Sequence, residues 1–162
     1  MRPTAHDPIH GVSYAFSPDG ENLIVDTWFE PSAKLPEHFH PVQDEHWSVV
    51  EGRAKIRNGD LEGVVVPEDG AQIVKPGNKH SIAACGEPAR LRTVVFPALR
   101  LQAFLEDSAA AAREGLFVKG GLPRNVRGAR WAATFLKRHR EETVMTFPPQ
   151  FAQSAMIALL AR

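Results

Sequence analysis

The sequence has only one cysteine, Cys85, among its 162 residues. A single cysteine cannot form a disulfide within the chain, which argues against a secreted disulfide scaffold and favours a reducing compartment. The N-terminus lacks the apolar core of a signal peptide, and no apolar run approaches the roughly 18 residues that span a bilayer. We therefore expect a cytoplasmic location.

A net charge is also lacking. Nineteen Lys and Arg residues balance nineteen Asp and Glu residues, so no overall field attracts a polyanion or an anionic membrane surface. No basic recognition helix is evident either. These features predict neither nucleic acid nor a membrane as a partner. The length and the 43% hydrophobic content are those of one domain with its own core.

The first part of the chain has the pattern of an antiparallel β-protein. Short alternating or β-branched runs are separated about every eight to twelve residues by Gly, Pro, Asn and Asp, which is typical of a sandwich or barrel. Turn chemistry at 17–20 and 58–60 predicts hairpins at both places. The predicted strands are 11–16, 22–30, 37–40, 45–51, 53–57, 63–66, 72–74, 81–84 and 91–96.

The pattern changes to a helical one after Pro97. An alanine-rich segment from residue 99 predicts a helix that ends at Gly115. Apolar residues at helical spacing predict a second helix over 125–138 and an amphipathic closing helix over 150–161. We expect the β-rich part to occupy residues 1–98 and a C-terminal helical extension, packed on the same domain, to occupy residues 99–162.

Three histidines and a glutamate have the spacing of a metal site. His38 and His40 are two residues apart, which in a strand directs both imidazoles to one face. Pro41 interrupts the ladder, so the chain can turn and re-enter the sheet with Glu45 facing the same interior. A tight turn then brings His80 onto a returning strand. These four side chains are candidate ligands of one ion.

The same residues carry a resemblance to the cupin superfamily. The sequence is similar to the first cupin motif, with His38-Phe-His40, four residues, Glu45, six residues and Gly52. It resembles the second motif from Gly70 through Pro76-Gly77 to His80. Two details depart from that motif: the proline directly precedes Gly77, and Ala84 occupies a position that is usually Asn.

The resemblance implies a fold and a cofactor. The fold is an all-β double-stranded β-helix, the cupin or jelly-roll barrel, and the helical tail is similar to that of small quercetin-dioxygenase-like cupins. His38, His40, Glu45 and His80 would bind one divalent transition metal ion. Three imidazoles and a carboxylate suit Fe, Mn, Ni, Cu or Zn, and the ligand types do not choose among them. Small cupins commonly pair through barrel edges, so a homodimer is expected.

Side chains with the same strand parity as the ligands are candidates for a substrate pocket. Trp47 and Val49 share the parity of Glu45, whereas Ile82 and Ala84 share that of His80. An alternative is that these four residues are only barrel core. His46 should face outward, and we expect His6, His10 and His139 not to be ligands.

These features favour a metal-dependent enzyme that acts on a small organic molecule. An oxygenase is the leading hypothesis, in which Glu45 either stays a ligand or accepts a substrate proton as the catalytic base. A metal-dependent isomerase or lyase would use the same four residues. A third hypothesis is a non-catalytic module that binds a small ligand, because fold alone does not determine activity.

Overall fold

The computed structural model describes residues 2–161, which contain eleven β-strands, three α-helices and a short 3₁₀ turn at Pro67–Asp69. The helices are α1 (Leu101–Arg113), α2 (Val126–Arg138) and α3 (Gln150–Leu160). The strands are β1 (Ala5–Asp7), β2 (Val12–Asp19), β3 (Asn22–Phe29), β4 (Lys34–Phe39), β5 (Asp44–Glu51), β6 (Ala54–Asn58), β7 (Leu61–Val65), β8 (Gln72–Val74), β9 (His80–Ala84), β10 (Ala89–Phe96) and β11 (Val144–Met145).

The strands form two antiparallel sheets, which confirms the predicted double-stranded β-helix. One sheet has the order β1-β2-β3-β10-β5-β8 and the other β11-β4-β9-β6-β7. The alternating pattern of the sequence explains the pairing, because one face of each central strand is apolar and needs cover. Side chains from both sheets, including Val12, Trp47, Ile56, Leu91 and Val95, meet in one buried core.

Gly52 shows why the turn between β5 and β6 requires glycine. Its φ is +71°, and a Cβ placed there would lie 2.4 Å from the carbonyl oxygen of Pro88. A side chain would therefore be strained both by its backbone conformation and by the neighbouring chain.

The helices follow the barrel in sequence, and α1 packs against it. Leu101 and Ala109 of α1 are buried in the core, and α1 also lies against β1. The side chain of Asn125 caps α2 by accepting a hydrogen bond from the backbone N–H of Gly128 at 3.0 Å. Helices α2 and α3 pack on each other. None of the helices in residues 2–161 has the length and apolarity that a bilayer crossing requires.

The sequence prediction was close for the long elements and incomplete for the short ones. The three predicted helices are present, and the nine predicted strands correspond to β2 through β10. β1 and β11 were missed. β11 comes from the part of the chain expected to be helical, yet it extends the sheet beside β4, where Val144 pairs with Phe39 and Met145 with His38.

Candidate metal centre

Three histidines meet where the barrel's second sheet faces the core. One ring nitrogen from each of His38, His40 and His80 lies within 4.8 Å of the others. The register of β4 and β9 places His38 directly opposite His80. His40 follows the last residue of β4 rather than lying in the strand, so the spacing of two does not reflect a continuous strand here. The His40 ring nevertheless lies with the other two, and the carbonyl of this residue accepts a hydrogen bond from the backbone N–H of Gly77 at 2.8 Å.

Every imidazole of the group is tethered through Nδ1 to a backbone carbonyl. A carbonyl oxygen can only accept a hydrogen bond, so the proton lies on Nδ1 and the neutral ring has its lone pair on Nε2. The same pattern orients metal-binding histidines in general. The three carbonyls belong to Pro36 for His38 (2.8 Å), Asn78 for His80 (2.8 Å) and Glu142 for His40.

The free Nε2 atoms fit a bound cation. Those of His38 and His80 are 3.0 Å apart, and Nε2 of His40 is buried without a hydrogen bond. Two lone pairs that face each other at this distance repel unless a positive charge lies beside them. Buried polar atoms without a partner are also uncommon in native proteins. The three imidazoles therefore fit a metal ion.

Glu45 supplies the negative charge of this centre. Its Oε1 lies 3.3 Å from Nε2 of His40, and its Oε2 lies 3.4 Å from Nε2 of His80. The indole N–H of Trp47 donates a hydrogen bond to Oε2 at 3.0 Å, which orients the carboxylate. Glu45 thus contacts two of the three histidines, and its inward position agrees with the strand parity predicted for β5.

The electrostatics favour neutral rings at His38 and His80 and an ionised carboxyl at Glu45, whereas His40 is biased toward its protonated form by Glu45. Burial and the neighbouring rings of His80 and His40 lower the pKa of His38 to about 3. Burial also lowers the pKa of His80. Burial acts against charge on Glu45 as well, but the three histidines, His40 foremost, outweigh it and hold the pKa of the carboxyl at about 2. Conversely, Glu45 overcomes the effect of burial on His40 and raises the pKa of that imidazole.

The four predicted pocket residues occupy different positions. Trp47 and Ile82 line a cavity of about 60 Å³ beside the histidines. Val49 is buried in the core, and Ala84 is half-buried against it. An apolar cavity of about 150 Å³ is the size that binds benzene, so this space is small for an organic substrate. A substrate role for these four residues stays a prediction.

A larger cavity, of about 350 Å³, adjoins His38 on the side of the C-terminal helices. Its wall includes Leu35 of β4, Phe104 of α1, Trp131 of α2 and Met156 of α3. Sequence reasoning did not find this cavity, because the apolar faces of the helices indicate burial without indicating a gap. It also missed the carbonyl of Glu142, since every residue has a carbonyl and no side-chain signal distinguishes this one.

The sequence matches a known family over much of the barrel. Residues 27–96 match the family model described as a cupin domain, and the match ends at the last residue of β10. In addition, a 49-residue segment is 39% identical to part of an oxidoreductase from Arthrobotrys oligospora. That match covers 30% of this chain and 19% of the relative, so the chain matches about a fifth of the relative's length.

Solved structures share the barrel. An RmlC-like cupin from Shewanella frigidimarina superposes with a TM-score of 0.55 at 20% identity, covering 62% of this chain and 89% of its own. A conserved protein with a double-stranded β-helix domain from Klebsiella pneumoniae gives 0.50 at 27% identity, covering 61% and 80%. A predicted oxalate decarboxylase from Thermotoga maritima gives 0.52 at 16% identity, covering 59% and 91%. These similarities describe the fold.

Proposed function

Because this chain belongs to the cupin superfamily, we propose that it is a metal-dependent enzyme, of the oxygenase type, that acts on a small organic molecule. One observation carries the proposal. The Nδ1 atoms of His38, His40 and His80 are all bound to backbone carbonyls, which leaves three Nε2 lone pairs grouped beside the Glu45 carboxylate. Simple core histidines have no need of this common orientation.

The residues that would hold the ion are His38, His40 and His80, with Glu45 as a fourth ligand. This set of nitrogen and oxygen donors suits Fe, Mn, Ni, Cu or Zn. A bound ion would supply Lewis-acid polarisation of substrate oxygen atoms and, in the case of iron, reactions with O₂. The short match to an oxidoreductase favours oxidation over the alternatives.

Glu45 has a second role in the proposal. Trp47 donates to Oε2, whereas Oε1 receives no hydrogen bond from Trp47 and lies 3.3 Å from Nε2 of His40. The carboxylate is ionised at neutral pH, but a pKa of about 2 makes it a weak base, so proton acceptance at Oε1 ranks behind its role as a ligand. The exclusion of water from this buried position strengthens its interaction with a developing charge.

The test begins with metal content. The full chain, purified without a histidine tag or chelator, should contain close to one equivalent of a transition metal by plasma mass spectrometry. His80→Ala should lose it. His46→Ala is the matched control, because His46 is exposed on the opposite face of β5 and should leave the metal unchanged.

The reaction type is tested on the loaded protein. Oxygen consumption with a panel of phenols and diketones would support an oxygenase, whereas turnover of a substrate without oxygen would replace it with an isomerase or lyase. Saturable binding without turnover would replace both with a binding module. The absence of metal from the wild-type chain after anaerobic loading would contradict all the metal-dependent versions.

A further inference from the structure

We propose that the cavity of about 350 Å³ between β4 and the C-terminal helices is the substrate site, and that it takes an apolar molecule of one or two rings with a hydrogen-bond donor directed at His10. We call this space the helix-side cavity. The inference rests on the proposed function only in naming the bound molecule a substrate. The binding itself is independent of metal and of turnover.

The size and walls of the helix-side cavity indicate the ligand. Its volume lies within the range of about 300–1,000 Å³ that is usual for small-molecule pockets, and it is more than twice the ~150 Å³ that holds benzene. Aromatic rings form one side: Trp131 stacks on Phe135 with centroids 4.5 Å apart, and Phe104 lies 4.9 Å from Phe135. Flat faces of this kind pack well on a planar ring.

Several polar side chains in the wall are already satisfied by the protein. The Gln153 amide donates to the carbonyls of Met145 and Pro148, and the hydroxyl of Thr146 donates to the carbonyl of Glu37. The Ser108 hydroxyl is bound to the carbonyl of Leu105 within its own helix. These groups have little left to offer a polar ligand, so an apolar body is favoured.

His10 differs from those groups. Its Nδ1 lies 2.7 Å from Oδ2 of Asp7, a carboxylate that is 2% exposed and whose Oδ1 accepts hydrogen bonds from the backbone N–H groups of Ile9 and His10. Because a carboxylate only accepts hydrogen bonds, the ring donates from Nδ1, which leaves Nε2 as the atom that can face a ligand.

The free nitrogen of His10 is directed to the helix-side cavity. Nε2 forms no hydrogen bond with any residue in 2–161, and it lies 3.7 Å from the position that a Cβ on Gly121 would take. Both His10 and Gly121 line the cavity. An acceptor at this point of the wall, among polar side chains that are bound elsewhere, favours a ligand that presents a hydroxyl or N–H to it over one that does not.

The helix-side cavity also reaches the metal centre. Pro36, Glu37 and His38 line it, and His38 is the histidine that lines the small barrel cavity as well. A molecule held between His10 and the helices would therefore lie against a ring of the histidine group. In this arrangement the C-terminal helices select the substrate, while the barrel supplies the metal-binding side chains.

The polar part of the inference is tested with a matched pair of probes, 2-naphthol and 2-methoxynaphthalene. Isothermal titration of the full chain should show saturable one-site binding of 2-naphthol. His10→Ala should weaken it about three- to tenfold, as expected for one net hydrogen bond, and should leave 2-methoxynaphthalene unchanged. His6→Ala is the control, since His6 is exposed and contacts Ser13 instead. Equal affinity of 2-naphthol for wild type and His10→Ala would overturn the role of His10.

The location is tested by filling the helix-side cavity. Ala132→Phe and Leu136→Trp each place a larger side chain in its wall, from different positions on α2. Each variant that keeps a cooperative thermal transition should bind both probes at least tenfold more weakly. Unchanged binding in a folded variant, or no saturable binding to wild type, would overturn the site. Titrating metal-free and metal-loaded protein separates this result from the metal proposal, because the probes need no ion.

Discussion

Two groups of histidine contacts are linked by the short segment 139–142, and they are built differently. At the first, the rings of His38, His40 and His80 are each tethered by Nδ1. At the second, His139 is 1% exposed, yet neither of its ring nitrogens forms a hydrogen bond with the described residues. It packs instead on the rings of Phe104 and Phe135.

Glu142 belongs to both groups. Its backbone carbonyl accepts from His40, while its side chain lies 3.5 Å from His139 and is paired with Arg100 at 3.1 Å. The difference indicates what makes a buried histidine a ligand. Burial near acidic groups is common to both, but only the first group has its nitrogens oriented in advance toward a shared point.

The largest effect is expected when a metal-binding side chain of the first group is removed. His40→Ala removes a ligand, and we expect metal affinity to fall more than the ~100-fold seen when only a supporting residue is lost. His139→Ala should leave metal content intact, because His139 has no part in the centre. Plasma mass spectrometry and competition with a chelator measure both. Equal metal loss in the two variants would remove the distinction between the groups.

The next effect concerns the side chain of Glu142. Glu142→Gln keeps the backbone carbonyl for His40 but leaves the buried pairing with Arg100 and His139 incomplete, at a cost of about 1–3 kcal/mol. For a chain of this size the midpoint of thermal unfolding should fall by roughly 3–10 °C. Metal content should persist. Glu141→Gln, at the exposed neighbouring position, should change neither quantity.

A smaller effect is expected at Trp47. Trp47→Phe removes the N–H that orients Glu45, and loss of such a supporting hydrogen bond reduces metal affinity about tenfold. Val49→Ala serves as the control. It shortens a buried side chain of the same strand, and that side chain forms no hydrogen bond with Glu45. A chelator titration that gives the same affinity for Trp47→Phe as for wild type would show that the Trp47 hydrogen bond does not support metal binding.

The smallest effect near neutrality is a dependence of stability on pH. The folded pKa of His38 is lowered to about 3, from an ordinary value of 6.5. Below pH 6.5 the unfolded chain thus binds a proton that the folded metal-free chain does not, so stability falls as the pH drops from 6.5 toward 3. His38→Asn should reduce the slope of this decline in urea unfolding series at pH 7, 6 and 5, although the lowered pKa of His80 leaves part of it, whereas His46→Asn should not change the slope. Parallel declines for His38→Asn and wild type would contradict the assignment.

Much of the barrel could be predicted because its strands repeat with a clear period. β5 shows this well: Glu45, Trp47 and Val49 alternate with His46 and face inward. The proline after His40 correctly indicated a break, although β4 ends one residue before that histidine. β1 and β11 could not be predicted, since two or three residues carry no period.

The sequence by itself determined which residues approach each other in the barrel, because alternation, turn glycines and ligand spacing are local properties. It thereby grouped His38, His40, Glu45 and His80. Only the tertiary structure decided that Val144 and Met145 pair with β4, that Glu142 holds His40, and that the helices leave a cavity beside His38. The two contacts join residues about 100 positions apart through backbone atoms, and the cavity is a gap between packed elements. Backbone atoms are the same in every residue and a gap has no residue of its own, so the order of side chains indicates none of these features.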